Sequence, residues 1–143
     1  MKTAIGFIVY KRLNTTKRVF DSIRSSKPPR LYLISDGPKN PEESIKCLEI
    51  RKFVEENINW NCDLIKVYSD KNLGCAKRVQ TGLDYMFDNE DHAIILEDDT
   101  LPDPSFYKFC EELLERYKDD HRVSHISGCN LHTSAVNFEH SYC

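Results

Sequence analysis

The stretch Ala93-Ile94-Ile95-Leu96-Glu97-Asp98-Asp99 decides the fold, because an apolar run ends there in carboxylates. The run is short, rich in β-branched residues and without alternation, which predicts a strand buried on both faces of a parallel sheet. Unpaired carboxylates are costly in a dry environment, so these acids are expected to face a cleft, water or a cation. Open α/β sheets bind ligands at the carboxyl ends of their strands. The pattern therefore indicates a divalent metal and a phosphorylated ligand.

Apolar strands and amphipathic helices alternate on either side of this run. Further strands are predicted over 4–10, 31–35, 64–68 and 123–126, with a helix after each of the first four strands. This order is typical of an α/β fold, a Rossmann-like and mostly parallel sheet with helices on both faces. Crossovers between parallel strands are right-handed, which leaves few possible topologies.

Cap residues and apolar stripes define the predicted helices. Asn14, Thr15 or Thr16 is expected to cap the first helix, Asn40 the second and Asp103 the fourth. The third helix is predicted over about 73–87. The stripes expected to be buried are, in helix order, Val19, Phe20 and Ile23; Ile45, Leu48, Val54 and Ile58; Ala76, Val79, Leu83 and Met86; and Phe106, Phe109, Leu113 and Tyr117.

Length and composition fit one domain over 1–143, with 40% hydrophobic and 30% charged residues. A net charge of −3 provides no broad basic surface for nucleic acid or an anionic membrane, so phosphate binding has to be local. No apolar stretch has the length of a membrane span. The segment 4–10 lacks a small-residue cleavage site and is followed at once by Lys11 and Arg12, which favours a first strand over a signal peptide.

The six cysteines show no close spacing of the kind found in disulfide frameworks and zinc sites. Free thiols in a reducing compartment are therefore expected, and with them a cytoplasmic location. The positions are Cys47, Cys62, Cys75, Cys110, Cys129 and Cys143.

The acids that end the central run suit Mg²⁺ or Mn²⁺, which takes oxygen ligands and keeps positions open for substrate phosphate. Acids that follow a strand also serve as helix caps or as solvated surface. We prefer the cap interpretation for Asp103. For Glu97, Asp98 and Asp99 we prefer the metal, because together they close a buried strand.

Three further segments offer ligand chemistry, each with a plainer alternative. Asp36 can accept a hydrogen bond from a base edge, or it forms a turn that leaves the strand. The cations Lys11 and Arg12 can meet a diphosphate, or they are surface charge. Asn72 opens a helix whose N–H groups can hold an anion, or it is an ordinary N-cap.

Three segments, taken in chain order, resemble the nucleotide-sugar half of a GT-A glycosyltransferase. They are Ile34-Ser35-Asp36-Gly37, Asn72-Leu73-Gly74 and Ile95-Leu96-Glu97-Asp98-Asp99. The nearest likeness is to the N-acetylglucosaminyltransferase I type, whose Glu-Asp-Asp cluster is its version of the Asp-x-Asp motif. The resemblance covers essentially the whole chain. It implies the N-terminal, donor-binding part of a longer enzyme that binds a nucleoside-diphosphate sugar, with UDP-sugar expected, together with Mn²⁺ or Mg²⁺.

The resemblance also implies roles for the acids. Asp99 is similar to the direct metal ligand, Asp98 to the residue that contacts the ribose, and Glu97 to the residue that touches ribose or sugar hydroxyls.

The same resemblance assigns the base and diphosphate contacts. Asp36 is similar to the residue that reads uracil, and Arg12 to the cation near the diphosphate. Val9 and Tyr10 are expected to line the base pocket. Asn72 falls where the family has a histidine near the uracil.

The implied reaction transfers a sugar to a hydroxyl of a saccharide or other acceptor. A metal on the diphosphate neutralises the charge on the leaving group, and an inverting enzyme also needs a carboxylate base. In the resembled enzymes the base and the acceptor site lie beyond this segment. Glu139 is a possible base without support, so the segment alone is not expected to transfer sugar.

A non-catalytic module that binds a sugar nucleotide or a partner is the second hypothesis. A third is another phosphate enzyme with acids at a strand end. A haloacid-dehalogenase-type phosphatase needs aspartates directly after the first strand, where Tyr10-Lys11-Arg12 stands. A nucleotidyltransferase needs a glycine-rich loop there, and Arg12-Leu13-Asn14-Thr15 contains no glycine.

Overall fold

Four parallel strands form the centre of the computed structural model, which describes residues 1–129. The strands are β1 (Ala4–Val9), β2 (Arg30–Ser35), β3 (Asp63–Tyr68) and β4 (Ala93–Glu97). The helices are α1 (Leu13–Ser26), α2 (Pro41–Asn57), α3 (Cys75–Phe87) and α4 (Phe106–Tyr117). The predicted α/β fold with a parallel sheet is confirmed. Glu139 lies outside the described residues.

The sheet order β3-β2-β1-β4 places β1 between β2 and β4. In the register, Ile5 pairs with Leu31 on one side and with Ile94 on the other. The chain therefore extends the sheet in one direction as far as β3 and then crosses over to add β4 beside β1. This reversal is the topological switch point, where sheets of this kind open a crevice at the carboxyl ends of their strands.

Helices cover both faces of the sheet, as predicted. Alternate residues of β1 such as Phe7 point into the larger core, where they join buried residues of α1, α2 and α4. The opposite face carries Ala4 and Ile34, which pack with Met86 of α3. Val9 in the larger core and Ile34 in the smaller one lie at or next to the carboxyl ends of their strands, so packing on both faces holds this edge of the sheet.

β4 is one of the two edge strands of the sheet formed by residues 1–129, and β3 is the other. Ile94 and Leu96 are buried, but Ala93 and Ile95 are partly exposed on the other face. The prediction that this strand is buried on both faces is therefore wrong for one face. A groove of about 890 Å³ runs along the strand between α3 and α4. An apolar run does not reveal which strands lie beside it.

The strand predicted over 123–126 is wrong, because these residues form no ladder with the described strands. Val123 and Ile126 instead line the groove beside β4. The segment is short and carries polar Ser124 and His125 between its apolar ends, which gives it little apolar surface to bury as a strand.

Two of the three predicted N-caps differ from the structure. Asn40 is confirmed, since its Oδ1 accepts the Glu43 N–H at 2.9 Å. α1 begins at Leu13, and Arg12 at the N-cap position lies two residues before Asn14, the first of the expected caps. The hydroxyls of Thr15 and Thr16 donate to the Arg12 carbonyl instead of capping.

α4 begins later than predicted, because Asp103 forms the turn in front of the helix. The Oδ1 of Asp103 accepts the Ser105 N–H at 2.9 Å, and Ser105 occupies the N-cap position. The side chains that α4 buries are Tyr107, Cys110 and Leu113, so only one of the four expected stripe residues is fully buried.

The apolar stripe predicted for α2 is wrong for its first two residues, Ile45 and Leu48. Ile45 and Leu48 are 70% and 59% exposed. The buried stripe is Glu43, Cys47, Ile50 and Val54, which recur at helical spacing. A buried carboxylate starts this stripe, and hydropathy alone assigns such a residue to the solvent side.

α3 buries Arg78, Gly82 and Met86, whereas Ala76 is exposed. Val79 and Leu83, which were expected in the core, are partly exposed. Within residues 1–129 no helix has the length and apolar character needed to cross a membrane.

Gly82 lets α3 approach β2 closely, and a Cβ at this position would lie 2.4 Å from Ile34 Cγ2. We expect Gly82→Ala to lower the free energy of unfolding by about 1 kcal/mol, since overpacking costs about 1–3 kcal/mol and helix propensity returns about 1 kcal/mol. Urea denaturation measures the change. The control is Gln80→Ala on the exposed side of α3, expected within about 0.5 kcal/mol of wild type. A G82A variant as stable as wild type contradicts the close approach.

Candidate functional site

The predicted site residues gather at the carboxyl edge of the sheet, on both sides of β1. Asp36 follows β2, Tyr10 follows β1 and Asp98 follows β4. Tyr10 joins the two sides. Its N–H donates to Asp98, and its hydroxyl accepts a hydrogen bond from Asn72, which also bonds to Asp36. One edge therefore holds residues from four connected segments.

Asp98 is buried, with 2% of its surface exposed. Its Oδ2 accepts the Tyr10 N–H at 3.3 Å, and its Oδ1 accepts Arg12 Nε at 3.1 Å together with Arg12 Nη2. Both carboxylate oxygens are thus used inside the chain, where they tie the end of β4 to the end of β1. The ribose contact expected of Asp98 stays a prediction.

Asp99 has a different environment from its neighbour. Its Oδ2 lies 2.8 Å from Arg12 Nη1, and 45% of its side chain is exposed. The bond to Asp98, with the charges of both acids, raises the pKa of the Arg12 guanidinium, which is therefore a permanent cation. Glu97 is exposed and lies at the groove along β4.

The metal expected at this edge is compatible with only part of the acid cluster. No group of three or more His, Cys, Asp or Glu side chains in the described chain is placed to hold a metal ion. Mg²⁺, however, commonly binds through one or two carboxylates plus the phosphates of a substrate. Asp99 is half-exposed and has an oxygen to spare, so it suits a cation that arrives with a diphosphate. A resident metal cage is not formed by these residues.

Asp36 is buried and anchors the loop between β3 and α3. Its Oδ1 accepts the N–H groups of Gly37 at 2.8 Å and Leu73 at 2.9 Å. Its Oδ2 accepts Gly74 N at 3.0 Å and Asn72 Nδ2 at 3.1 Å. The turn alternative considered for Asp36 is not formed, because the residue two positions on is Pro38, which has no N–H to donate. Asp36 instead ties the end of β2 to the loop 72–74. Reading a uracil stays a prediction, and it requires a base N–H to share or displace one of these donors.

Asn72 is not the N-cap of α3, because Gly74 takes that position with a φ of 80°. The Asn72 Nδ2 instead lies 2.8 Å from the Gly37 carbonyl and 3.1 Å from the Tyr10 hydroxyl. The side chain thus holds three loops together. Its expected place near a base stays a prediction.

Glu43 is a site residue that the sequence interpretation missed. Its carboxylate accepts the Tyr10 hydroxyl, the Lys11 ammonium and the Lys39 N–H, the last at 3.0 Å. The bond to Lys11, followed by those to Tyr10 and Lys39, lowers the pKa of Glu43 to about 2. Burial and the neighbouring Glu43 raise the pKa of the Tyr10 phenol, which therefore stays protonated. The sequence did contain a signal for Glu43, because it is the third residue after the N-cap Asn40, and in a capping box the side chain at that position turns back toward the start of the helix.

Two arginines on helices also support this edge. Arg51 Nη2 donates to the carbonyls of Asp36 at 2.9 Å and Ser69 at 3.2 Å, and its guanidinium stacks on Tyr68. Arg78 is buried and donates to the Val67 carbonyl at 2.6 Å. Both bond to carbonyls where β2 and β3 end. No sequence pattern pointed to either residue.

Val9, expected to line a base pocket, has its side chain in the larger core with 2% exposed. Only its backbone can face a ligand. The structure therefore brings Tyr10, Arg12, Asp98 and Asp99 together on the β4 side and Asp36 and Asn72 on the β2 side.

The lowered pKa of Glu43 makes a pH prediction. A carboxylate with a depressed pKa stabilises the fold above the unfolded pKa near 4.5, and this contribution is lost as the pH falls toward 2. We therefore expect Glu43→Gln to lower the melting temperature most at pH 6 to 7 and least near pH 2.5. Thermal melts across about pH 2.5–7 measure this, with Glu49→Gln on the exposed face of α2 as control. A pH-independent difference for E43Q contradicts the assigned contacts.

Comparison with protein-family models and with curated proteins finds no match to this chain. The likeness to GT-A glycosyltransferases therefore depends on the motifs themselves. What the site can bind has to be argued from its charges and geometry.

Proposed function

We propose that this chain is the donor-binding domain of a metal-dependent glycosyltransferase that takes a nucleoside-diphosphate sugar. One observation carries the proposal: a half-exposed carboxylate, Asp99, lies 2.8 Å from the cationic Arg12 at the switch point of a parallel sheet. A carboxylate such as Asp99 can bind a divalent cation, and a guanidinium such as Arg12 can bind a diphosphate. A metal–diphosphate pair carries both complementary charges, so it fits this edge as a unit.

Arg12 is suited to hold a diphosphate, because a guanidinium presents several donors to phosphate oxygens and keeps its charge. The bond from Arg12 Nε to the buried Asp98 fixes the direction of that guanidinium. A bound cation on Asp99 would neutralise charge on the leaving diphosphate. The protein contributes the fixed placement of both groups before the ligand arrives, which is the part of electrostatic catalysis that a fold can supply.

The nucleoside is proposed to lie on the β2 side of Tyr10, toward Asp36 and Asn72. Tyr10 bonds through its hydroxyl to Glu43 and Asn72, so the partly exposed ring is what remains to contact a base. The expected uracil preference follows from the resemblance, with Asp36 as the reader. Glu97, exposed at the β4 groove, is on the side where the sugar is proposed to lie.

The proposal includes a saccharide or other hydroxyl acceptor and a cytoplasmic location. The cysteines of residues 1–129 are free thiols, and free thiols persist in reducing compartments.

A non-catalytic sugar-nucleotide module is the second candidate, and the state of the carboxylates favours it for residues 1–129 taken alone. Asp36, Glu43 and Asp98 are each bonded within the chain, which leaves them unsuited to take an acceptor proton. The two exposed acids of this edge, Asp99 and Glu97, are assigned to the cation and to the sugar of the donor.

Calorimetric titration tests the donor proposal. We expect Mn²⁺ to tighten binding of UDP by at least about tenfold, which corresponds to about 1.4 kcal/mol, since the cation offsets repulsion between Asp99 and the diphosphate. Asp99→Ala should lose this enhancement. Asp103→Ala, an exposed acid four residues on, should keep it.

Equal affinity of wild type for UDP with Mn²⁺ and with EDTA would overturn the metal-dependent donor site. A panel of UDP, GDP, ADP and CDP in the same buffer distinguishes a base reader from a general diphosphate site. Preference for UDP that is lost in Asp36→Ala supports the role assigned to Asp36.

A further inference from the structure

The guanidinium of Arg12 is divided between two adjacent carboxylates. Its Nε and Nη2 bond to Asp98, while its Nη1 bonds to Asp99. The two ion pairs do not have equal environments. The Asp98 side chain is 3% exposed, whereas the side chains of Asp99 and Arg12 are 45% and 52% exposed.

Burial of Asp98 makes its ion pair with Arg12 durable, whereas exposure of Asp99 makes its ion pair with Arg12 exchangeable. Removing the partner of a buried charge is strongly unfavourable, because the charge left behind has no water to solvate it. An exposed ion pair is weak and is screened by salt. Arg12 therefore has a fixed attachment at Nε and Nη2, and a third nitrogen that can change partners without moving the anchor.

We propose that Asp98 is a positioning residue that holds Arg12 while Nη1 changes partner, from Asp99 in the ligand-free chain to a diphosphate oxygen when the nucleotide binds. The inference rests on the proposed donor function. In the absence of metal, Asp99 competes with the diphosphate for Arg12. A divalent cation on Asp99 removes that competition.

Coupling between metal and nucleotide follows from this arrangement. Each ligand releases the protein group that the other needs, so the affinity of one rises when the other is bound, and the linkage is reciprocal. Asp99 then has opposite effects under two conditions. It weakens nucleotide binding without metal and strengthens it with metal.

The test is calorimetric titration of UDP into the full chain, in EDTA and in MnCl₂. In EDTA, Asp99→Asn should bind UDP up to about fivefold more tightly than wild type. This factor corresponds to the Arg12–Asp99 pair, which no longer has to be broken and is worth up to about 1 kcal/mol as an exposed ion pair. In MnCl₂ the order should invert, with Asp99→Asn weaker than wild type. Asp103→Asn removes one charge from the same loop and corrects for general electrostatic repulsion.

Arg12→Lys tests whether the effect passes through the guanidinium. An ammonium can keep Asp98 paired but cannot bond to both acids in a fork, so the gain from Asp99→Asn in EDTA should disappear in the R12K background. Asp98→Asn should also reduce that gain, because the anchor loses its charge. Thermal melts of each variant separate loss of folding from loss of positioning.

Two outcomes would overturn the inference while leaving the donor proposal intact. In the first, D99N and D103N bind UDP equally well in EDTA. In the second, the D99N gain persists in the R12K background. In both cases wild type still binds UDP more tightly with Mn²⁺. Wild type that binds no UDP in either buffer overturns the donor proposal, and the inference with it.

Discussion

The tie between Asp98 and the segment after β1 is the contact on which the edge of this molecule depends. β1 and β4 are paired in the sheet although they are far apart in the chain, and their ladder ends at Ile8 and Glu97. Beyond the ladder, the Tyr10 N–H and the Arg12 guanidinium extend the connection by bonding to one buried carboxylate. The switch point thus combines a buried carboxylate with two partly exposed charges, those of Arg12 and Asp99.

Carboxylates at this edge divide into groups that build the structure and groups that remain available. Asp36, Glu43 and Asp98 each accept several donors and hold loops. Asp99 and Glu97 keep solvent access. This division gives the site a rigid floor, since hydrogen bonds to buried charges are strong, and leaves few mobile groups to order when a ligand binds.

The sequence predicted where strands lie along the chain better than it predicted which elements and side chains surround them. The ranges of β1 and β2 were predicted to within one residue, because turn-forming residues bound each apolar run. The outer position of β4 was not predictable, since its neighbours come from distant segments. The stripe of α2 failed because Glu43 is turned inward by Tyr10 and Lys11. The acid cluster was placed at the correct edge, but the sequence does not show that Asp98 is buried under bonds from Tyr10 and Arg12 while Asp99 stays half-exposed.

The anchoring of the β3–α3 loop has an evolutionary consequence. Three of the donors on Asp36 are main-chain amides, those of Gly37, Leu73 and Gly74, and every residue except proline carries such a group. The side chain at Leu73 can thus change among homologues while the path of the loop is retained, provided that the Asp36 carboxylate, the Asn72 amide and the positive φ of Gly74 persist. Mutational tolerance should be high at Leu73 and low at Asp36, so sequence comparison would register divergence where the architecture has hardly changed.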